Sequence, residues 1–269
     1  WPLASIDVGE VGGGWLVAYY AGLAGLAWLW RRRGNLPSPS PFPARRSIQL
    51  VLGFSATGVL LAWLAVLQRP DGRLHVAFLD VGQGDAVLIT TPAGQQILVD
   101  GGPSPSALTT ALGREMPFWD RSLDLLVMTH ADADHISGLV EAASRYELGG
   151  WLDNGEGGDD ATYQICLARL GRNGVPQHVA RAGQELGLEQ GIVLEVLHPP
   201  PGTEAGPRAD GNSRSLVLRL RWRSVSFLLT GDVDAAAERL MLETAQPLAA
   251  NVLKVAHHGS DGSSTAEFL

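Results

Sequence analysis

The chain has 269 residues, a formal net charge of −8 and a single cysteine, Cys166. One cysteine excludes an intramolecular disulfide and a cysteine-rich zinc module. From residue 74 onward, 13 Lys and Arg stand against 25 Asp and Glu, which excludes nucleic-acid binding through a basic overall field. The length suits one domain of ~200 residues with an appendage.

Two uncharged stretches occupy the start of the chain, residues 11–30 and residues 47–67. Each has about the length that a helix needs to cross a hydrocarbon core of ~30 Å; a buried helix of a soluble domain is the alternative interpretation. The loop between them carries five arginines, which favours a cytoplasmic position. We therefore predict a multi-pass cell-membrane region over residues 1–72 with two transmembrane helices. Residues 73–269 are then expected on the extracytoplasmic side.

Residues 74–269 alternate strand and helix signals in the manner of an α/β domain. LHVAFLDVGQGDAVLITT predicts two strands joined by a glycine-rich turn, and QQILVDGG predicts a third strand that ends at Asp100. Amphipathic spacing predicts helices over 106–116, 135–146, 161–172 and 234–244. Apolar or alternating runs predict strands over 124–129, 175–180, 192–197, 215–221, 225–230 and 251–255.

The densest group of candidate metal ligands lies in LLVMTHADADHISG. A buried strand ends at Thr129, and His130, Asp132, Asp134 and His135 follow directly before a helix. Loops at the carboxyl ends of strands are where α/β sheets place their sites. Alternate residues of a tight loop project the same way, so we expect His130 and Asp132 at one metal ion and Asp134 and His135 at a second. A solvated acidic loop is the alternative.

Three later segments place further candidate ligands beside other predicted strands. They hold Asp210 or Asn212 before the strand at 215, Asp232 in FLLTGD, and His257 with His258 in LKVAHHGS. Each signal is weak on its own. Together with the first group they predict one metal-binding rim fed by four strands.

Four arginines, Arg214, Arg219, Arg221 and Arg223, lie close together in the sequence. Because side chains alternate along a strand, several of them would share one face. They would form a basic strip for a substrate, or the solvated face of a strand.

The candidate ligands resemble the signature of the metallo-β-lactamase superfamily, HxHxDH followed by a third ligand, a bridging aspartate and a last histidine. The signature stands here as His130, Asp132, Asp134 and His135. Asp232 matches the bridging aspartate, and His257 matches the last ligand. The resemblance implies an αββα sandwich, a metal-dependent hydrolase, and two divalent metal ions held by these six residues.

Further motifs narrow the resemblance to the C-terminal hydrolase domain of ComEC-type DNA-uptake proteins. They are LDVGQGDAVLI, the DGG turn, THADADHISG, the Asn-x-x-Ser-Leu segment at Asn212, LLTGD and HHGS. This family places a membrane channel region before the hydrolase domain, in agreement with the two predicted spans. The chain stops soon after HHGS, so we expect the hydrolase domain, residues 73–269, to be truncated at its C-terminus.

The resemblance implies a deoxyribonuclease domain that degrades one strand while its complement passes through the channel. The implied partners are DNA, single- or double-stranded, the membrane, and other competence proteins. The oligomeric state is left open.

This sequence departs from the superfamily signature at two positions. Asp132 takes the place of the second histidine, and no histidine lies near Asn212 for the third ligand position. Carboxylate and amide oxygens favour Mn²⁺ or Mg²⁺ over Zn²⁺. We therefore expect manganese, with zinc as the alternative.

We expect Asp134, Asp232 and His258 to be the catalytic residues. Two ions bridged by Asp232 would activate a water molecule for attack on a phosphodiester. Asp85 in GQGD is expected to orient the ligand histidines from behind.

Asn212, His258 and Ser260 are candidates for contacting the phosphate or the leaving oxygen. The alternative is a turn that merely positions His257.

Two other functions compete with the nuclease hypothesis. The first keeps an enzyme with a small substrate, either a phosphodiesterase for cell-surface phosphocholine or a β-lactamase. The acidic composition favours a small substrate over DNA, whereas Asp132 argues against a zinc β-lactamase. The second is a non-catalytic module that binds DNA or gates the channel. The nearly complete set of ligands argues against it.

Overall fold

A computed structural model of the chain describes residues 25, 44–67, 70–117, 119–158, 160–202, 212–244 and 247–269. The chain divides into two compact units, Trp1–Leu64 and Ala65–Leu269. All strands given below belong to the second unit.

The first helix, α1, spans Ala44–Leu67 and covers the second predicted membrane span. Several of its large apolar side chains are exposed, among them Phe54 at 79% and Trp63 at 61%. Within the ranges that the structure describes, no helix is both long enough and apolar enough to cross a membrane. The first predicted span, residues 11–30, lies outside the described residues except for residue 25.

The second unit contains thirteen described strands and four α-helices. In chain order the strands are β1 (His75–Phe78), β2 (Val87–Thr90), β3 (Gln96–Val99), β4 (Ser122–Leu123), β5 (Leu125–Val127), β6 (Glu147–Leu148), β7 (Trp151–Asp153), β8 (Gln177–Val179), β9 (Glu185–Gly187), β10 (Val193–His198), β11 (Val217–Trp222), β12 (Val225–Leu229) and β13 (Val252–Lys254). The helices are α2 (Pro105–Glu115), α3 (Ala133–Arg145), α4 (Ala161–Arg172) and α5 (Ala235–Glu243).

The strands form two large sheets and one small one. The larger sheet has the order β1-β2-β3-β5-β7-β8, and the second has the order β13-β12-β11-β10-β9. β3, β5, β7 and β8 run parallel, as do β12 and β13, and the other neighbours in these sheets are antiparallel. β4 and β6 pair separately. Because parallel strands end at the same edge, residues that follow β3 and β5 are brought side by side.

Side-chain alternation along the strands produces four layers. Leu88, Leu98 and Leu126 of the larger sheet pack into a cluster with α2, α3 and α4. Their neighbours Ile89 and Ile97 point to the other face and pack against the second sheet. A third cluster joins the outer face of the second sheet to α5. The architecture is therefore the predicted αββα sandwich.

The predicted elements of the second unit recur with ends shifted by at most two residues, and α4 has the predicted bounds. The sequence analysis missed the short strands β4, β6, β7 and β9. β7 contains a buried aspartate, Asp153, which accepts hydrogen bonds from Trp151 Nε1 at 2.7 Å and Tyr163 OH at 2.8 Å. Because these hydrogen bonds allow a charged residue to be buried in β7, the strand does not show the run of apolar residues that the sequence analysis relied on.

Candidate metal centre

Loops from several strand ends meet at one edge of the sandwich. β5 leads into the HADADH segment and α3, β12 leads to Asp232, and β13 leads to His258. The turn between β1 and β2 adds Asp85. The fold thus collects four separate segments of the sequence at one place.

The turn that carries Asp85 packs directly on the start of α3. Gly84 has φ +112°, and a Cβ atom added there would lie 2.1 Å from the backbone oxygen of Asp134. The backbone N–H of Asp85 donates to that same oxygen at 3.3 Å. Only glycine permits this approach, and it places Asp85 next to His135.

Asp232 lies at the centre of the cluster. Its Oδ2 is 3.3 Å from His135 Nε2, 3.4 Å from His258 Nε2 and 4.0 Å from His130 Nε2. His130, His135 and Asp232 are buried. One carboxylate oxygen therefore faces three imidazole nitrogens.

The other carboxylates divide the cluster into two overlapping groups. Asp134 Oδ2 lies 3.3 Å from His258 Nε2, and Asp132 Oδ2 lies 3.6 Å from His130 Nε2. One ligand atom each from Asp85, His135, Asp232 and His258 lies within 4.8 Å of the others. Asp232 is the residue that both groups share.

Asp100, at the end of β3, fixes the orientation of two histidines. Its Oδ2 accepts from Thr129 Oγ1 at 2.7 Å and lies 2.9 Å from His135 Nδ1, and its Oδ1 accepts from the Thr129 backbone N–H at 2.8 Å. Thr129 Oγ1 also lies 3.0 Å from His130 Nδ1. Because the hydroxyl proton is given to Asp100, Thr129 accepts from His130. Both rings then carry a proton on Nδ1 and direct Nε2 at Asp232.

Charge and burial shift several pKa values in the cluster. Burial opposes protonation of His135, but the carboxylates of Asp100 and Asp232 outweigh it and raise the pKa of His135 to about 10. Burial favours neutral Asp232, yet His135 and His130 hold the pKa of Asp232 well below its usual range. The pKa of Asp85 is raised, because burial outweighs the attraction of Lys254.

Lys254 brings a positive charge into this acidic cluster. Its ammonium group forms an ion pair with Asp85 and lies 3.9 Å from Asp232 Oδ1. It also donates to the backbone oxygen of Gly231 at 3.1 Å. The last residue of β13 thereby links the Asp85 turn to the Asp232 turn.

The structure brings together most of the residues that the sequence singled out. His130, Asp132, Asp134, His135, Asp232, His258 and Asp85 make the close approaches described above. Asp85 lies 3.5 Å from His258 Nδ1 and 3.9 Å from His135 Nδ1.

His257 lies beside the cluster instead of in it. The HHGS segment places His258 against Asp232 and Asp134, whereas the ring of His257 lies 6.2 Å from that of His258, centre to centre. The structure therefore places His258 against these two carboxylates, and the role of His257 as the last metal ligand stays a prediction.

The other two predicted residues lie on loops next to the cluster. Asn212 begins a 3₁₀ turn, Asn212–Arg214, and Ser215, just after that turn, accepts from the Asp232 backbone N–H at 3.2 Å. Ser260 is exposed, and its backbone N–H donates to the carbonyl of His257 at 2.9 Å.

The sequence analysis missed Asp100, Thr129 and Lys254 as parts of the site. Asp100 and Thr129 each end a predicted buried strand, which is a usable signal. Lys254 had a stronger one, because it is the one lysine in the sequence and sits in an apolar strand just ahead of HHGS.

The arginine group does not form an open basic strip. Arg214 pairs with Glu156, Arg219 and Arg221 both pair with Glu195, and Arg223 stacks on Trp222 at 4.3 Å from its ring centre. These cationic groups are satisfied within the domain.

The cluster fits divalent metal ions. Among the described residues, His130 Nε2, His135 Nε2 and Asp232 Oδ1 are buried side-chain atoms without a hydrogen bond. Buried polar atoms are rarely left so, and imidazole nitrogens beside carboxylate oxygens form a donor set for divalent cations.

The fold and this site agree with the comparison to known families. The profile of the metallo-beta-lactamase superfamily matches residues 79–269. The chain belongs to this superfamily, and its fold is that of a metal-dependent hydrolase.

Within the superfamily, the chain resembles competence proteins. It is 30% identical over 234 residues to ComE operon protein 3 of Bacillus subtilis, covering 81% of this chain and 29% of that protein. It is also 30% identical over 223 residues to competence protein ComA of Neisseria gonorrhoeae, with the same coverages. The chain thus spans less than a third of these relatives. The resemblance to the hydrolase domain of ComEC-type proteins is confirmed.

Among solved structures, the metallo-beta-lactamase SMB-1 is 17% identical, with a TM-score of 0.46 over 71% of this chain and 78% of that chain.

Proposed function

We propose that residues 73–269 form a metal-dependent phosphodiesterase of the deoxyribonuclease type, which degrades one DNA strand during uptake of transforming DNA. The observation that carries the proposal is the convergence of buried His130, buried His135 and exposed His258 on buried Asp232. Similarity to competence proteins supports DNA as the substrate.

Two sets of residues would hold the metal ions. Asp134, His135 and His258 with Asp232 form one set, and His130 and Asp132 with Asp232 form the other. Ions bound there would supply an activated water and neutralise phosphate charge. The oxygen-rich second set favours manganese, with zinc as the alternative.

Residues of the chain provide the rest of the chemistry. In the reaction a water oxygen would bond to phosphorus as the ester P–O bond breaks. One water proton would leave with the departing oxygen, and the other would stay on the new phosphate oxygen. The Lys254 ammonium, already between Asp85 and Asp232, is placed to neutralise an anionic phosphate oxygen. Asp100 and Thr129 keep the Nδ1 protons of His135 and His130 in place.

The direct test is cleavage of end-labelled single- and double-stranded DNA by the full chain with Mn²⁺, Zn²⁺ or EDTA. We expect cleavage that requires Mn²⁺ and disappears in Asp134→Ala. Asp261→Ala is the matched control, since Asp261 is an exposed aspartate of the HHGS loop and its loss should leave cleavage unchanged. A folded protein that binds two metals and cleaves no DNA contradicts the DNA assignment.

A small phosphodiester is the second candidate substrate. The paired arginines and the acidic composition of residues 74–269 favour it. Hydrolysis of bis-p-nitrophenyl phosphate without DNA cleavage would support this substrate.

We also propose that the domain lies at the outer face of the cell membrane beside a DNA channel and other competence proteins. The exposed apolar side chains of α1 support an apolar environment around that helix. In cells whose outer wall is permeable and whose cell membrane is intact, we expect added protease to digest residues 73–269. Protection of these residues in such cells contradicts this location.

A further inference from the structure

A buried glutamate on α5, outside the metal cluster, contacts the loop that carries His258. We propose that Glu238 is a positioning residue: it holds residues 256–265 so that His258 reaches Asp232 and Asp134. This inference rests on the proposed function, since it concerns a ligand of the same metal centre.

The His258 loop has a backbone conformation that needs external support. His257 and His258 have φ values of +48° and +52°, and Ser264 has φ +54°. Residues other than glycine rarely adopt this region, and they do so where the surroundings fix them. Two consecutive histidines in this conformation turn the chain so that His258, and not His257, points at the cluster.

Glu238 provides that support at the far end of the loop. Its side chain is fully buried, and its Oε1 accepts from the Ser264 backbone N–H at 2.5 Å while its Oε2 accepts from that of Thr265 at 2.9 Å. In the described part of the chain these backbone donors, and no cationic side chain, meet its carboxylate. Burying a carboxylate costs free energy unless it is well hydrogen-bonded. The buried Glu238 carboxylate therefore depends on the backbone N–H groups of Ser264 and Thr265.

Two serine side chains of the same loop connect the Glu238 contact to the position of His258. Ser264 Oγ accepts from the Ala256 backbone N–H at 3.2 Å, which closes the loop immediately before His257. Ser263 Oγ donates to the carbonyl of Val233 at 2.8 Å, next to Asp232. The loop is therefore fastened to the same α5 start that follows Asp232, which sets the separation of His258 from Asp232.

The test compares Glu238→Gln with Asp160→Asn. In the Glu238→Gln variant an amide NH₂ replaces one carboxylate oxygen and would face a backbone donor, so at least one of the two contacts is lost. Asp160 is the control because it also accepts a backbone N–H at a helix start, from Tyr163 at 2.8 Å, and α4 supplies no residue to the cluster.

Two readouts separate positioning from general stability. The first is hydrogen exchange of the 256–265 amides in the metal-free full chain. The second is metal content and affinity, measured by mass spectrometry and chelator competition with Mn²⁺. We expect Glu238→Gln to speed hydrogen exchange of the 256–265 amides at least about tenfold. We also expect it to lower the binding affinity for one of the two metal ions by about 10–100-fold. Asp160→Asn should change neither the exchange rate nor the metal affinity, even if it lowers the thermal midpoint as much as Glu238→Gln does.

Ser263→Ala covers the case in which Glu238→Gln does not fold. It removes only the hydrogen bond to the carbonyl of Val233. We expect faster exchange of the loop amides and weaker metal binding, each by a smaller factor than in Glu238→Gln. Loop exchange and metal affinity equal to those of the unsubstituted chain, in whichever variant folds, overturn the inference. If the unsubstituted chain binds no metal, the proposed function fails, and the exchange measurement alone still decides whether Glu238 holds the loop.

Discussion

At the scale of single residues, the Asp100 carboxylate determines how two histidines face the cluster. It accepts from both the backbone and the hydroxyl of Thr129 and contacts His135 Nδ1. Through Thr129 it also reaches His130. One side chain therefore sets the tautomer of both rings, although it is not expected to touch a metal.

We expect Asp100→Asn to weaken metal binding by about 10–100-fold, because an amide cannot accept from all three donors. Chelator competition measures the affinity. Asp153→Asn is the control: Asp153 is also buried and accepts from Trp151, Tyr163 and the Gly155 backbone, yet lies outside the cluster. Equal metal affinity in the two variants would show that Asp100 has only a general structural role.

We expect Lys254→Met to lower kcat for DNA cleavage by about 10²–10³-fold, with metal content equal to or above that of the unsubstituted chain. The ammonium group is lost from its place beside Asp85 and Asp232, and no metal ligand is removed. Arg223→Met makes the same charge change where the cation stacks on Trp222 and should leave kcat unchanged. Cleavage by Lys254→Met at the original rate contradicts the proposed role.

The site residues divide by how their positions are encoded. His130, Asp132, Asp134 and His135 are neighbours in the sequence, so their association was predictable from one motif. Asp232 and His258 were predictable as residues after strands. The choice of His258 over His257 depends on two positive φ angles, and those follow from tertiary contacts of the loop that local sequence does not specify.

At the scale of elements, β10 and β11 are joined by an ion-pair network as well as by backbone hydrogen bonds. Glu195 accepts from Arg219 Nε at 2.5 Å and from Arg221 Nη2 at 2.8 Å. Burial opposes ionisation of Glu195, but the two arginines outweigh it and lower the pKa of its carboxyl. A lowered pKa means that ionised Glu195 stabilises the fold above the unfolded-state pKa of ~4.3. This stabilisation is lost as pH falls through the folded-state pKa.

We therefore expect Glu195→Gln to reduce the free energy of unfolding at pH 7 by about 3 kcal/mol, since buried Arg219 loses its charged partner. The difference should shrink as pH falls below the unfolded-state pKa of ~4.3 and through the lowered folded-state pKa of Glu195. Urea unfolding at several pH values measures both effects. Glu185→Gln, an exposed glutamate on β9, should change little, and a pH-independent deficit in Glu195→Gln would refute the electrostatic explanation.

Elements with a clear apolar period were predictable, and an exposed strand that is held only by backbone pairing was not. In α3 the apolar residues recur at helical spacing, and Ile136, Leu139 and Ala143 form its buried face. β9 has all three residues exposed and gains its place only by pairing with β10. Its sequence therefore carried no signal of its own.

At the scale of the whole molecule, metal ions that bind only the folded state should raise its stability. Each ion adds about 2.7 kcal/mol at a free concentration 100 times its dissociation constant. We expect Mn²⁺ to raise the thermal midpoint of the second unit and EDTA to reverse the change. Calorimetry of Asp134→Asn should show a smaller gain, and Asp261→Asn the full gain. A midpoint unaffected by Mn²⁺ in the unsubstituted chain argues against metal binding.

The single lysine of the chain gives the site a built-in chemical reporter. Reductive methylation with ¹³C-formaldehyde would label Lys254 and the terminal amine and leave every arginine untouched, so the side chain yields one NMR resonance. Because Lys254 is paired with Asp85 and close to Asp232, that resonance should move when a cation or a phosphate enters the cluster. Occupancy of the site can thus be followed in solution without substituting any residue.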